Sequence, residues 1–120
     1  MSKIDKYFRL AKQVAMKGDS CDASRQHRLG AVGIRSDGII VSASNIPCRQ
    51  QNASSHAEAR LVRKLNHSSE VFVVRVLRNG ELGNAHPCIN CQTTMRLRGV
   101  RRAYYSISND DYGIIVFNQR

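Results

Sequence analysis

Residues 70–98 read EVFVVRVLRNGELGNAHPCINCQTTMRLR. The first part, Glu70–Leu77, is almost continuously apolar and rich in valine, the pattern of a buried central strand. Arg78–Pro87 contains Asn79-Gly80 and reads as a loop. Cys88–Arg98 suits a helix, and Gly99 follows it as a residue that readily takes the left-handed conformation of a helix end. Strand, loop and helix in this order set the frame for the remainder of the chain.

Upstream, residues 3–17 place Ile4, Phe8, Ala11, Val14 and Ala15 at helical spacing, with Ser2 available as a cap. Gly18–His27 is a polar loop. Leu29–Arg35 and Ile39–Ser44 form two short strands around Ser36-Asp37-Gly38, a hairpin signal. The polar stretch Asn45–Ser55 leads into a second helix at about His56–His67. Downstream, Val100–Ile107 and Ile114–Asn118 are two further strands. Only about six residues, Ser108–Gly113, join them, whereas a parallel crossover needs roughly a dozen. The last two strands are therefore expected to be antiparallel. The order α-β-β-α-β-α-β-β gives an α/β sandwich, with a mixed five-stranded sheet and helices on both faces.

A chain of 120 residues with 42% hydrophobic content is expected to form a single domain over residues 1–120. No apolar run approaches the ~20 residues that span a bilayer, and the start, MSKIDKYFRLAKQ, holds no apolar stretch of signal type. Four cysteines in such a chain suit thiols or metal ligands in a reducing compartment, so a cytoplasmic protein with no membrane partner is expected. The 19 basic residues against 9 acidic ones give a net charge of +10. Most of the basic residues are arginines, which suit forked contacts with phosphate. Anionic partners, nucleotides or polynucleotides, fit that balance, and so does plain solubility.

Two short motifs carry chemistry: Ser55-His56-Ala57-Glu58 and Pro87-Cys88-Ile89-Asn90-Cys91. Ser55 and Glu58 have the spacing of a helix capping box. Yet Glu58, Leu61, Val62 and Leu65 fall on one helix face that is otherwise apolar, and a carboxylate facing the core is costly unless it is paired or has work to do. Capping explains the spacing and leaves the inward direction unexplained. Cys88 and Cys91 stand three apart in the first turn of a helix, so both sulfurs lie on one side. A pair of this kind alone suits a redox couple or half of a structural zinc site. Cys21 and Cys48 are singletons in loops and read as simple thiols. With His56 as third ligand, one coordination position stays open, the pattern of a catalytic zinc. Helix N-termini favour thiolates through their unpaired N–H groups. Glu58, two residues beyond His56, can then carry a proton.

At these residues the sequence resembles the zinc-dependent nucleobase deaminases, whose signature is H-x-E followed by P-C-x-x-C. Here the signature is His56-Ala57-Glu58 and Pro87-Cys88-Ile89-Asn90-Cys91, and the likeness covers roughly Leu29 to Ile107. The resemblance implies the cytidine deaminase-like fold and one Zn2+ per chain on His56, Cys88 and Cys91, with Glu58 as the catalytic residue. It also implies a ribose contact from Asn45, whose alternative role is the turn before Pro47. Ala57 and His86 match the places whose backbone reads the base edge. His86 departs from the family pattern, because relatives often carry Ser or Glu before this proline. It is expected to touch substrate or to sit on the surface.

The substrate is less constrained. A terminal hairpin resembles the nucleoside cytidine deaminase branch, and also bacterial toxin deaminases that act on DNA. The tRNA adenosine, deoxycytidylate and polynucleotide-editing cytosine branches insert a helix before a parallel fifth strand. A cytidine-type deaminase of a free nucleoside or nucleotide is therefore the leading expectation. A deaminase of single-stranded nucleic acid is the alternative, drawing on the net charge and on Arg96, Arg98, Arg101 and Arg102. Tyr112 could stack on a base at the pocket rim, or simply cover the hairpin. A catalytically silent, zinc-stabilised nucleic-acid-binding module is a third reading, against which the intact Glu58 argues. Relatives with the hairpin ending are often oligomers, but no interface is legible here.

Overall fold

The computed structural model describes residues 3–17, 27–44, 61–77, 79–87 and 89–117. Its elements are α1 (Lys3–Lys17), β1 (His27–Ile34), β2 (Ile40–Ser44), β3 (Glu70–Leu77), β4 (Leu82–Gly83), α2 (Ile89–Arg98), β5 (Arg102–Ser106) and β6 (Tyr112–Val116). Five strands lie side by side in the order β2-β1-β3-β5-β6, and β4 pairs with β3.

The valine-rich run forms β3 at the centre, and its side chains separate into two cores by simple strand alternation. Val71 and Val73 join Leu61, Val62, Leu65, Met95, Val100 and Ala103 on the α2 side. Phe72, Val74 and Val76 join Phe8, Ala11, Ala15 and Tyr104 on the α1 side. Both faces of the sheet are thus covered, as a continuous apolar strand requires.

On the α1 side the helix comes very close to β1. A Cβ at Gly30 would collide with the Ala11 carbonyl and the Ala15 backbone, so glycine on the strand faces alanines on the helix. The strands β1 and β2 are antiparallel, from Gly30 opposite Ser44 to Ile34 opposite Ile40. Gly38, at φ +89°, closes their turn with its N–H on the Arg35 carbonyl at 2.9 Å.

β3 and β5 run parallel, with Glu70 opposite Arg102 and Val73 opposite Tyr105. The crossover that parallel strands need is supplied by α2. Its end is a Schellman motif, in which Val100 N–H donates to the Met95 carbonyl and Gly99 N–H to that of Arg96, both at 3.0 Å. Gly99 takes φ +91° there. β5 and β6 are antiparallel, from Arg102 opposite Val116 to Ser106 opposite Tyr112. The six-residue connection does make a hairpin.

Several boundaries differ from the sequence reading. The sheet gains a sixth strand, because Asn79-Gly80 turns the chain tightly enough for Leu82 and Gly83 to pair with Val76 and Arg75. Gly80 N–H donates to the Leu77 carbonyl at 2.9 Å, and Leu77 N–H to that of Glu81 at 2.8 Å. The helix expected to reach His67 ends earlier: Leu61 and Val62 are helical, and turns follow at 63–64 and 67–68. β5 starts two residues later than expected because Val100 is occupied in the end of α2. β6 starts two residues earlier, because the Ile107 N–H bond to the Asp111 carbonyl closes the turn before Tyr112.

Candidate zinc site at the start of helix α2

The segment leading into α2 is fastened to the carboxyl end of β5. Ala85 N–H donates to the Ser106 carbonyl at 2.8 Å. The buried Ser106 hydroxyl donates to the Gly83 carbonyl at 2.8 Å. His86 N–H is held by the Asn84 side-chain carbonyl at 2.9 Å, an Asx turn. Pro87 is then fully buried, and the Gln92 amide reaches back to its carbonyl at 2.9 Å. In this way α2 begins at the carboxyl end of the parallel strands, where ligands of open α/β sheets bind.

Cys91 lies in the first turn of α2 and is 3% exposed. No acidic residue stands in that turn, and the N–H groups of a helix start act favourably on a sulfur placed there. This favours a thiolate, and a thiolate is a soft donor of the kind that zinc takes. The donor chemistry here fits the ion. Cys88 and His56 lie outside the described residues, as do Asn45, Ala57, Glu58, Cys21 and Cys48. Among the described residues no three His, Cys, Asp or Glu side chains form a metal set.

The stripe expected to carry Glu58 can be followed in part. Leu61, Val62 and Leu65, at three, four and seven residues beyond it, are all buried in the α2-side core. Only Leu61 and Val62 of these are helical, and Glu58 itself lies outside the described residues.

His86 is exposed, with its ring against that of Tyr105 at a centroid distance of 4.9 Å and an angle of 81°. Tyr112 lies on the other face of the sheet. Its ring meets Phe8 of α1 at 5.5 Å and Tyr104 at 6.4 Å, and it is 43% exposed. The structure brings His86 and Cys91 to the α2 side and leaves Tyr112 covering the α1 side of the hairpin. Among the described residues, Tyr105 and Phe117 carry aromatic rings to the α2 side, and sequence reasoning assigned neither to the site. Strand alternation carried the signal, since Tyr104 and Tyr105 must face opposite ways.

The basic cluster is also placed elsewhere. Arg98 donates through Nε to the Leu65 carbonyl at 2.9 Å and through Nη2 to that of Arg63 at 3.3 Å. Arg101 and Arg102 both face Glu70, at 3.3 Å and 3.8 Å. These contacts sit at the last turn of α2 and the amino end of β5, opposite to the end where α2 begins. About four strand residues at ~3.3 Å each separate the two ends.

Among the described residues no helix is long and apolar enough to cross a membrane. The fold is similar to that of a cytidine deaminase from Burkholderia pseudomallei, with a TM-score of 0.67 at 18% identity, covering 97% of this chain and 93% of that one. A cytidine deaminase from Mycobacterium leprae aligns with a TM-score of 0.60 at 17% identity, over 95% of this chain and 94% of its own. One from Mycobacterium tuberculosis aligns with a TM-score of 0.60 at 19% identity, over 88% and 85%. Comparison with curated proteins gives no match. Residues 1–107 match the model of the cytidine and deoxycytidylate deaminase zinc-binding region, and the chain belongs to that family.

Proposed function

We propose that this chain is a single-domain, zinc-dependent hydrolase that deaminates a cytosine-type base in a free nucleoside or nucleotide, giving the uracil form and ammonia. The observation that carries the reading is the buried Cys91 in the first turn of α2, at the carboxyl end of the parallel strands, in a chain of this family. His56, Cys88 and Cys91 hold one Zn2+. When bound, the ion supplies Lewis-acid activation of a water. Glu58 accepts one proton from the attacking water and delivers it to the base ring nitrogen, then takes the second from the new hydroxyl and delivers it to the amine, which leaves as ammonia. Asn45 binds the sugar, and the backbone at Ala57 and His86 meets the base edge. Thiol ligands suit a reducing compartment, which agrees with a cytoplasmic enzyme.

A free nucleoside or nucleotide is favoured over a polynucleotide by the placement of the arginines. Arg98, Arg101 and Arg102 serve helix-end carbonyls and Glu70 at the far end of the sheet. Among the described residues, the contacts of these three arginines lie at the opposite end of the sheet from the start of α2. Ammonia release from cytidine, deoxycytidine, their monophosphates and a cytosine-containing oligonucleotide, compared at physiological salt, tests the reading. Turnover of the oligonucleotide alone would overturn the substrate class, and turnover of none would overturn the activity.

A further inference from the structure

His86 stands one residue before the buried Pro87, at the approach to α2. Its backbone is fixed by Asn84, and its neighbour Ala85 is fixed by Ser106. Among the described residues neither nitrogen of its ring makes a hydrogen bond, although the ring itself has a definite contact. That contact is the near-perpendicular pairing with Tyr105. An apolar partner thus sets the direction of an imidazole and leaves its polar atoms unused by the fold.

Tyr105 is itself confined. It faces Gly113 across the β5–β6 ladder, and a Cβ on Gly113 would collide with Cζ and Oη of the tyrosine ring. The ring therefore lies over the glycine, a cross-strand arrangement that an added methyl group would break. On its other side it packs against the core that contains Met95 and Ala103. Tyr104, one residue earlier, is directed away and stacks on Phe72 at 4.5 Å. Only one of the two adjacent tyrosines can reach His86.

We infer that Tyr105 is a positioning residue, seated over Gly113, which holds the His86 imidazole beside the start of α2 so that a ring N–H donates to a substrate oxygen away from the reacting atoms. The inference rests on the deaminase reading and names a specificity element within it. A hydrogen bond made equally to bound substrate and to the transition state lowers KM and leaves kcat alone. Loss of the ring that orients His86 must therefore appear in KM.

The test uses the full chain loaded with zinc and the best free substrate of the panel above. Tyr105→Leu is expected to raise KM about three- to tenfold, the range that one edge-to-face aromatic pair supports. Its kcat should stay within about twofold of the parent, as loss of uniform binding requires, and zinc should stay at one per chain. Tyr105→Phe keeps the ring and should restore the parent KM. His86→Ala should raise KM at least as much, and Tyr105→Leu added to His86→Ala should cost nothing further, because both remove one interaction. Gly113→Ala, which displaces the ring from the β6 side, repeats the same cycle if the leucine variant does not fold. Additive effects in both cycles, a fall in kcat at unchanged KM, or loss of zinc from Tyr105→Leu would each overturn the inference. Failure of the parent chain to deaminate any compound would be seen before any variant is made, and would overturn the deaminase reading and this inference with it.

Discussion

A carboxylate that moves protons and a thiolate that holds a metal respond differently to removal. On the proposed mechanism, Glu58→Ala keeps one zinc per chain and loses activity by about 10²–10⁴-fold or more, because one residue serves several proton transfers. Metal content and ammonia release, measured on the same preparation, check this. Loss of zinc would make Glu58 a ligand or a structural residue. Cys91→Ala, at the buried first turn of α2, should abolish stoichiometric zinc and lower the melting temperature, since metal binding is coupled to folding. His56→Ala and Cys88→Ala should do the same, while Cys21→Ala and Cys48→Ala should leave one zinc per chain. If either of the latter pair removed zinc, the site would be closed by four protein ligands and the catalytic reading would fail. At this scale the family was legible in the sequence. Metal-ligand chemistry is written in residue types at short spacing, so Pro87-Cys88-Ile89-Asn90-Cys91 could be read without any tertiary contact. Tyr105 could not be read in that way, because its partners His86 and Gly113 are brought to it only by the sheet.

Elements were legible where a local rule governs them. The stop of α2 at Gly99 follows from the left-handed φ that a Schellman end demands, and Gly99 has it. Gly99→Ala should destabilise the protein by about 1–2 kcal/mol, the cost of that conformation for a residue with a Cβ. The methyl group would also press on the His67 ring. Denaturant unfolding measures the loss, and an unchanged midpoint would show that the helix end relaxes. The β5–β6 hairpin was legible from chain length alone, since six residues cannot make a parallel crossover. The two-residue β4 was not legible, because Leu82 and Gly83 have no strand pattern of their own and pair only because the Asn79-Gly80 turn returns them to β3. The early end of the helix before Leu65 was equally hidden. There Ser69 binds Asn66 through its hydroxyl at 2.7 Å, and Ser68 N–H donates to the Gly99 carbonyl at 2.7 Å, so the chain leaves the helix to meet the end of α2.

For the molecule as a whole, a net charge of +10 invites a polynucleotide reading, which the salt dependence of activity tests against the proposed free substrate. A strand gripped at about four phosphates would give a log–log salt slope near −3. The free-substrate reading expects instead a shallow salt dependence of kcat/KM for cytidine or its monophosphates. Replacing Arg101 and Arg102 together with Gln should leave that dependence and kcat/KM unchanged. It should cost only ~0–1 kcal/mol of stability per exposed ion pair with Glu70. A marked loss of oligonucleotide turnover in this variant would return the arginines to the substrate. Composition determined that the protein is strongly basic, and the two motifs determined its family, because both are properties of residues close together in the chain. The valine run likewise determined a strand covered on both faces, since its apolar side chains alternate whatever surrounds them. Only the tertiary structure decided which layer Tyr104, Tyr105 and Tyr112 each join, and that Arg98 and Arg101 are occupied by carbonyls and a carboxylate more than thirty residues away in sequence. Strand register and helix docking make those pairings, and neither is encoded in the spacing of neighbouring residues.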